Sequence, residues 1–271
     1  MRGECMLQSL REAILNYLVL KPSRHAIEHS NQRRECVLLN KRSIDFFIQQ
    51  NFAPPDKADL LVLKFPGTAG RAERSTSFPG FAIPNLKTEI WTWNPPGYGG
   101  SEGNASLRNI AEAALLYWDF ARSRHGDQIP IWLFGNSLGC LSVLHIGSKR
   151  ISNDIDAGMI LRNPPPLINV VKRVAKKYPF GSAVNAVANS LCDEMNAMIT
   201  APQCSLPALF LQSQRDELVP TFMQNEVIES YGGPSRKVIL EGLDHDGKVT
   251  PTHHEMIRDG IHWLQSQIHQ C

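Results

Sequence analysis

A serine in the middle of the stretch LFGNSLGC has the setting of a catalytic nucleophile. Gly135, Ser137 and Gly139 form the pattern G-x-S-x-G, which has meaning only when a strand precedes it and a helix follows it. The apolar run at 129–134 predicts that strand, and the apolar spacing at 138–149 predicts a helix packed on a sheet. The two glycines permit the tight turn that would lift the Ser137 hydroxyl above the sheet.

A serine hydroxyl is a poor nucleophile at neutral pH. It needs a base to take its proton and a third group to orient that base. Asp216 and His245 each follow an apolar run that predicts a strand, and they come after Ser137 in the order acid, then base. That order accompanies a nucleophile elbow of this kind. We therefore predict that Ser137, Asp216 and His245 form a catalytic triad.

Other acids and imidazoles compete for these two roles. Asp244 and Asp246 flank His245, but immediate neighbours rarely turn their carboxylates onto the ring. His145 lies on the helix predicted after the serine and is expected to be packed there. Among the nine histidines, His245 is the one placed in a loop directly after a strand.

A serine nucleophile also requires two N–H donors for the negative oxygen of the tetrahedral intermediate. The backbone N–H of Leu138, which follows the nucleophile, is the first candidate. The second is expected from the glycine-rich loop that begins at Pro66, a residue without an N–H. We predict Thr68 as this donor, with Ala69 as the alternative. The loop lacks the Lys-Ser/Thr ending of a phosphate-binding P-loop.

Two further side chains are candidates for substrate binding. Arg71 follows the oxyanion loop and could contact an anionic group of a substrate, although a surface ion pair with Glu73 or Glu102 is the favoured alternative. Tyr98 lies in the stretch NPPGYGGSEG and could line the edge of the site. The tight turn of that stretch is itself a sufficient reason for its glycines.

Strands alternating with helices must position these residues. Apolar runs predict six strands: 60–65, 88–93, 129–134, 158–163, 208–213 and 237–242. The apolar spacing at 106–124 and 138–149 predicts two helices that lie between some of these strands. Such alternation is typical of crossovers in a mostly parallel sheet. Two short segments, 36–39 and 44–48, predict an edge hairpin before this series.

One segment interrupts the alternation. About 45 residues separate the fourth and fifth of these strands, more than a crossover needs. We predict a small helical insertion over the carboxyl edge of the sheet at 164–204. It carries a basic cluster that we expect to be a solvated helix face rather than a site for an acidic substrate or lipid headgroups: Lys172, Arg173, Lys176 and Lys177.

The N-terminal stretch 7–19 has the apolar period of an amphipathic helix. The residues that form its apolar stripe are Leu7, Leu10, Ile14, Tyr17 and Leu18. We expect this stripe to dock on the main body of the protein rather than on a membrane.

Composition narrows the class of protein. The 271 residues are 42% apolar and 20% charged, which is ordinary for a globular chain, and we expect one domain over 1–271. The net charge of +2 gives no broad positive electrostatic field that would attract nucleic acid. Six cysteines without a C-x-x-C pair suggest neither zinc nor a disulfide framework. With charged residues inside the N-terminal apolar stretch and no long apolar run, we predict a cytoplasmic protein with free thiols.

From residue 36 to its end the chain resembles the α/β-hydrolase superfamily, because strand, elbow, acid and base follow in order. The stretch at 94–103 is similar to the N/D-x-x-G-x-G-x-S pattern of the serine-aminopeptidase-like branch, also called the α/β-hydrolase-domain group. QSQRDELVP at 212–220 resembles the G-x-x-D-x-x-V-P acid motif of that branch. One departure is Pro66-Gly67, where many members have His-Gly.

The resemblance implies the α/β-hydrolase fold and hydrolysis of a small acyl substrate through an acyl-serine intermediate, without a metal or organic cofactor. We expect an ester or thioester as substrate. A peptidase or amidase is less favoured, because no acidic cluster to hold a substrate amino terminus is identifiable. The alternative from another class is a ligand-binding or signalling protein that keeps the pocket without turnover. The sequence specifies no oligomeric state.

Overall fold

The computed structural model describes residues 2–29, 32–126, 129–150, 157–178, 181 and 184–268. An eight-stranded sheet forms its centre. In chain order the strands are β1 (Arg33–Leu39), β2 (Arg42–Gln50), β3 (Leu60–Phe65), β4 (Thr88–Trp93), β5 (Ile131–Asn136), β6 (Ala157–Arg162), β7 (Ala208–Ser213) and β8 (Ser235–Leu240).

The strands lie in the order β1-β2-β4-β3-β5-β6-β7-β8. β2 pairs antiparallel with both β1 and β4, and all other neighbouring pairs are parallel. The prediction of a mostly parallel sheet preceded by an edge hairpin is therefore confirmed. Parallel strands bring their carboxyl ends to one edge of the sheet. The residues predicted for chemistry follow β3, β5, β7 and β8, and they therefore lie at this edge.

Helices cover both faces of the sheet. In chain order they are α1 (Arg2–Val19), α2 (Leu107–His125), α3 (Gly139–Arg150), α4 (Leu167–Ala175), α5 (Val184–Ala188), α6 (Ala197–Thr200), α7 (Thr221–Ser230) and α8 (Pro251–Ile268). The hydroxyl of Ser106 caps α2 by accepting from the N–H of Asn109 at 3.1 Å. The two helices predicted between strands, at 106–124 and 138–149, are confirmed as α2 and α3.

The core has two parts because β3 and its neighbours are buried on both faces. Leu61 and Leu63 of β3 point toward α2 and α3, whereas Leu60 and Val62 point toward α8. This two-sided burial explains why β3 is a continuous apolar run. Its one exception, Lys64, is buried at the carboxyl end of the strand, beside the predicted oxyanion loop.

The described residues of the segment 164–204 form helices in short pieces. It contains α4, α5 and α6, with one 3₁₀ turn at Asp193–Met195 and another at Ala201–Gln203. α4 lies over the carboxyl edge of the sheet, where Leu167 and Val170 line the same cavity as Ser137.

α1 docks on the body of the protein, but the prediction about its apolar stripe is wrong. Leu7, Leu10, Ile14, Tyr17 and Leu18 are all exposed. Leu15, which lies outside the stripe, is buried in the core together with α2. The helix is therefore held by its other face.

Five cysteines are free thiols in the structure: Cys5, Cys36, Cys140, Cys192 and Cys204. Cys271 lies outside the described residues. None of the described helices has both the length and the apolar character needed to cross a membrane.

Candidate active site

Ser137 occupies a strained turn between β5 and α3. Its φ of 50° lies in the left-handed region, which a non-glycine residue adopts only when its surroundings enforce it. The flanking glycines make this conformation possible, because neither carries a Cβ that would clash with the neighbouring backbone. A Cβ on Gly139 would lie 1.9 Å from the carbonyl oxygen of Phe65, and one on Gly135 would lie 2.6 Å from the Cα of Cys140. The turn is thus pressed against the end of β3 and the start of α3.

The structure brings the three predicted triad residues together. Nε2 of His245 lies 2.9 Å from Oγ of Ser137, and Nδ1 of His245 lies 2.7 Å from Oδ2 of Asp216. The side chain of Asp216 is fully buried, while that of His245 is 14% exposed. A base that contacts both the hydroxyl and a carboxylate has the geometry needed to take up a proton and to be stabilised once it carries a charge.

The loop and helix after β7 fix the orientation of Asp216. Its Oδ1 accepts hydrogen bonds from the N–H groups of Leu218, at 3.0 Å, and Val219, at 2.7 Å. Nε2 of Gln224, on α7, donates to Oδ2 at 3.3 Å. The competing carboxylates, Asp244 and Asp246, are exposed to solvent.

His145, the competing histidine, is buried on α3, as expected for a packed residue. Burial lowers the pKa of its imidazole and favours the neutral form. Among the competing carboxylates, Asp216 is therefore the one that contacts His245. Among the competing histidines, His245 is the one that contacts Ser137.

Two residues at the end of β6 hold the loop that carries His245. Asn163, with φ 52°, donates from Nδ2 to the carbonyl oxygen of His245 at 3.3 Å and accepts the N–H of Ser213 at 2.8 Å. The guanidinium of Arg162 donates to the carbonyl oxygen of Gly247. Sequence reasoning missed both residues. The available signal was their position at the end of a predicted strand, at the sheet edge that carries the triad.

Thr68 and Leu138 line the same cavity as Ser137. Within the described residues, the backbone N–H of neither residue has a protein acceptor. Thr68 itself is held firmly, because its hydroxyl donates to the carbonyl oxygen of Val19 and its carbonyl oxygen accepts from the N–H of Lys21 at 3.3 Å. The loop that carries the second predicted oxyanion donor is thereby tied to the end of α1.

Arg71 pairs with Glu73, one of the two partners considered for it, but the pair is buried and not on the surface as expected. Its guanidinium pairs with Glu73 and donates to the carbonyl oxygens of Ser23, at 2.8 Å, and His25, at 3.1 Å. Burial opposes ionisation of Glu73, but the hydrogen bond from Arg71 and other donors hold the pKa of that carboxyl below its usual value. Arg71 is buried and lies outside the cavity that contains Ser137.

Tyr98 is also buried and lies behind the oxyanion loop rather than at the edge of the cavity. Its hydroxyl donates to the carbonyl oxygen of Thr68 at 2.8 Å and accepts from the N–H of Lys21 at 3.2 Å. The structure therefore places Tyr98 in contact with the oxyanion loop and not with the space in front of Ser137.

The cavity in front of Ser137 has a volume of about 640 Å³ and walls that are mainly apolar. α4 and the loop after β7 supply much of its lining: Val170, Val171, Val174, Leu218 and Val219. Such a site suits a hydrocarbon chain, because apolar groups leave water on entering it.

A second cavity, of about 620 Å³, lies on the other side of the oxyanion loop. Its lining includes five basic residues and one carboxylate: Lys64, Arg71, Arg74, Arg162, Lys248 and Asp246. Burial lowers the pKa of Lys64 to about 7. Nζ of Lys64 donates to the carbonyl oxygen of Thr76 at 2.7 Å. Among the described residues, no group of three or more His, Cys, Asp or Glu side chains could hold a metal ion.

No protein-family model matches the chain. An uncharacterised membrane protein of Saccharomyces cerevisiae is 25% identical over 175 residues, which cover 63% of this chain and 59% of the yeast protein. The alpha/beta hydrolase domain-containing protein WAV2 of Arabidopsis thaliana is 27% identical over 183 residues, which cover 62% of this chain and 56% of WAV2. The chain thus spans less than two thirds of the length of these relatives.

Among solved structures, an esterase of Pyrococcus furiosus superimposes with a TM-score of 0.67. The match covers 91% of this chain and 98% of the esterase, at 11% identity. At that identity the likeness concerns the fold, which extends over nearly the whole of both chains.

Proposed function

The chain has the α/β-hydrolase fold, and we propose that it is a serine hydrolase that cleaves an acyl ester or thioester. The observation that carries the proposal is the continuous hydrogen-bonded relay from Ser137 through His245 to Asp216, with heavy-atom distances of 2.9 and 2.7 Å. The esterase activity named for the structurally similar protein of Pyrococcus furiosus agrees with this chemistry.

In the first half of the reaction, Oγ of Ser137 attacks the acyl carbon while Nε2 of His245 takes the hydroxyl proton. The carbonyl oxygen becomes negative and accepts hydrogen bonds from the N–H groups of Thr68 and Leu138. The bond to the leaving oxygen or sulfur then breaks, and His245 gives its proton to that atom. The products are an acyl-serine and a free alcohol or thiol.

In the second half, water attacks the acyl-serine and His245 again takes the proton. The same two N–H groups stabilise the second tetrahedral intermediate. When it collapses, the proton returns to Oγ of Ser137 and the carboxylic acid leaves. Asp216 supports both halves, because its buried carboxylate stabilises the positive imidazolium that forms each time.

The cavity favours an aliphatic acyl group over a polar or charged one. Its α4 wall consists of aliphatic side chains, three of them valines, and Leu218 and Val219 follow Asp216 in the loop that holds it. We therefore place the acyl chain along α4, with its carbonyl carbon at Ser137. A peptide substrate has no comparable support in this lining.

Labelling with a fluorophosphonate probe tests the proposal directly. The purified chain is treated with the probe, digested and mapped by mass spectrometry. We expect label on Ser137 and none after Ser137→Ala. Ser142→Ala is the matched control, since Ser142 is a buried serine on α3, the helix that follows Ser137.

The second step is turnover of soluble esters and thioesters of increasing acyl length. We expect hydrolysis that Ser137→Ala abolishes and Ser142→Ala retains. A folded protein that takes no label and turns over no acyl substrate would contradict the proposal and favour a binding protein with the same fold. Turnover restricted to amides or peptides would contradict the assignment of ester or thioester.

A further inference from the structure

The apolar stripe of α1 faces away from the protein. Leu10 is 57% exposed and Tyr17 is 81% exposed. Leu7 and Ile14 complete the row at the spacing of three and four residues that places side chains on one side of a helix. A helix on a globular protein normally turns such a stripe toward the core.

The opposite side of α1 makes the contacts with the body. Leu15 is buried, and the side-chain oxygen of Asn16 accepts the N–H of Leu107 at the start of α2, at 2.9 Å. Glu12 pairs with Arg108 at 3.1 Å. These contacts fix the rotation of the helix about its axis. The exposure of the stripe is therefore a consequence of how α1 is anchored.

The stripe continues into the rim of the cavity that contains Ser137. Leu18, the last residue of the stripe, is 45% exposed and also lines this cavity. Tyr178, after α4, and Leu218, after β7, line the same cavity and are 67% and 43% exposed. Three separate segments thus place large apolar side chains around one opening.

Basic residues accompany this apolar surface. Lys21 lines the cavity and is exposed, and its ammonium lies 5.9 Å from the centre of the Tyr17 ring. The stretch 167–178, which lines the cavity with its apolar side chains, carries four basic residues and no carboxylate. Two of them, Lys176 and Lys177, are exposed. Apolar side chains with cations beside them match the interface of an anionic bilayer.

We propose that the stripe of α1, with Leu18, Tyr178 and Leu218, docks on the surface of a bilayer that contains anionic phospholipids. The cavity in front of Ser137 then opens toward the membrane. A second copy of the chain is a poorer occupant. A two-fold interface would bring this surface against itself, and with it the like-charged Lys176 and Lys177 of both copies.

Vesicle co-sedimentation tests the docking. The purified chain is mixed with vesicles of phosphatidylcholine alone and with vesicles that also contain phosphatidylserine. We expect binding to the anionic vesicles that weakens as salt is raised, because the cations contribute. Leu10→Glu should weaken binding about tenfold, since it places a charge in the stripe that we propose enters the bilayer surface.

Ser9→Glu is the matched control. It adds the same side chain at the neighbouring exposed position of α1, outside the stripe, and should retain most of the binding. Equal loss in both variants would contradict the role of the stripe. Absence of binding to either vesicle by the folded wild type would overturn the proposal. So would a dimer in light scattering that Leu10→Glu dissociates.

The docking is separable from the proposed hydrolysis. Ser137→Ala should bind vesicles as the wild type does, because Ser137 lies inside the cavity and is buried. In the active protein, Leu10→Glu should slow hydrolysis of a long-chain ester held in anionic vesicles about tenfold, and leave hydrolysis of a soluble short-chain ester unchanged. Equal loss on both substrates would contradict docking as the step that Leu10→Glu impairs.

Discussion

The hydroxyl of Tyr98 donates a hydrogen bond of 2.8 Å to the carbonyl oxygen of Thr68. Tyr98 is buried, and desolvation raises its pKa to about 12, so the hydroxyl keeps its proton at neutral pH. The residue that we assign as an oxyanion donor is therefore held from behind by a side chain that does not reach the cavity. Tyr98 is a positioning residue in this arrangement.

Replacing Tyr98 by Phe removes this hydrogen bond while keeping the ring. The net contribution of such a hydrogen bond is about 1 kcal/mol. We therefore expect kcat for a soluble ester to fall about fivefold, with little change in KM. Tyr117→Phe is the control, since the buried Tyr117 hydroxyl has no partner among the described residues. Its kcat should stay at the wild-type value. A change in KM alone for Tyr98→Phe would contradict the positioning role.

Asp216 should be essential for turnover, although it does not touch the substrate. Asp216→Asn replaces the acceptor of the His245 Nδ1–H and favours the wrong tautomer of the imidazole. We expect kcat to fall by about 10⁴-fold, the loss typical of this substitution in a serine triad. Asp244→Asn and Asp246→Asn, at exposed positions beside His245, should retain activity within about twofold. Equal losses of kcat in all three variants would contradict the assignment of Asp216 as the carboxylate that orients His245.

The elbow tolerates no side chain at Gly139. A Cβ there would lie 1.9 Å from the carbonyl oxygen of Phe65, so β3 and α3 would have to move apart. We expect Gly139→Ala to lower the free energy of unfolding by about 3 kcal/mol and to abolish activity. Urea unfolding followed by fluorescence measures the first effect.

The control for this variant lies on the same helix. A Cβ on Gly147 would meet side-chain atoms of Met159, at 3.0 Å, and Cys204, at 3.1 Å, rather than backbone, and the flexible end of Met159 can yield. Gly147→Ala also gains helix propensity, and we expect its unfolding free energy to stay within about 1 kcal/mol of the wild type. If Gly139→Ala changed the free energy of unfolding as little as Gly147→Ala does, the close approach of the elbow to β3 would be contradicted.

The sequence predicted the central strands best where the sheet is covered on both faces. β3, β4 and β7 begin and end at the predicted residues, because two-sided burial leaves a continuous apolar run between turn residues. β8 was predicted at 237–242 and lies at Ser235–Leu240. It is an edge strand with mostly exposed side chains, and its apolar pattern gives little information about register.

The candidate site was predictable as far as it depends on chain order. Ser137, Asp216 and His245 each follow a strand whose carboxyl end must reach the same sheet edge. The supporting contact of Asn163 with His245 joins residues 82 positions apart, and neither type nor spacing indicates it. The orientation of α1 was also beyond the sequence, since the stripe was visible but the anchoring of the helix through Leu15 and Asn16 was not.

We expect Lys64 to make the stability of the protein depend on pH. Its folded pKa of about 7 lies below the ordinary 10.5 because burial disfavours the ammonium. Between these values the unfolded chain binds more protons than the folded one, so this group makes the free energy of unfolding rise with pH. The cost of burying the charge is greatest below pH 7 and disappears above about 10.5.

Lys64→Met removes the titrating group and keeps an unbranched side chain. We expect the variant to be more stable than the wild type at pH 6, by an amount on the order of a few kcal/mol, and the difference to shrink steadily toward pH 10. Urea unfolding of both proteins across this range measures it, because other titrations cancel in the difference. A difference that is independent of pH would show that the ammonium is not desolvated in the folded state.

The wall formed by α4 should set the length of the acyl chain. Val174 lines the cavity that contains Ser137, and a larger side chain there would occupy space that we assign to the acyl group. For Val174→Trp we expect kcat/KM for a soluble octanoate ester to fall at least about tenfold, while that for the acetate ester changes less than about twofold. Asn169→Trp, at an exposed position of the same helix, should leave both values unchanged. An equal fall for both esters with Val174→Trp would mean that the variant damages the triad, and no fall for either would place the acyl chain elsewhere.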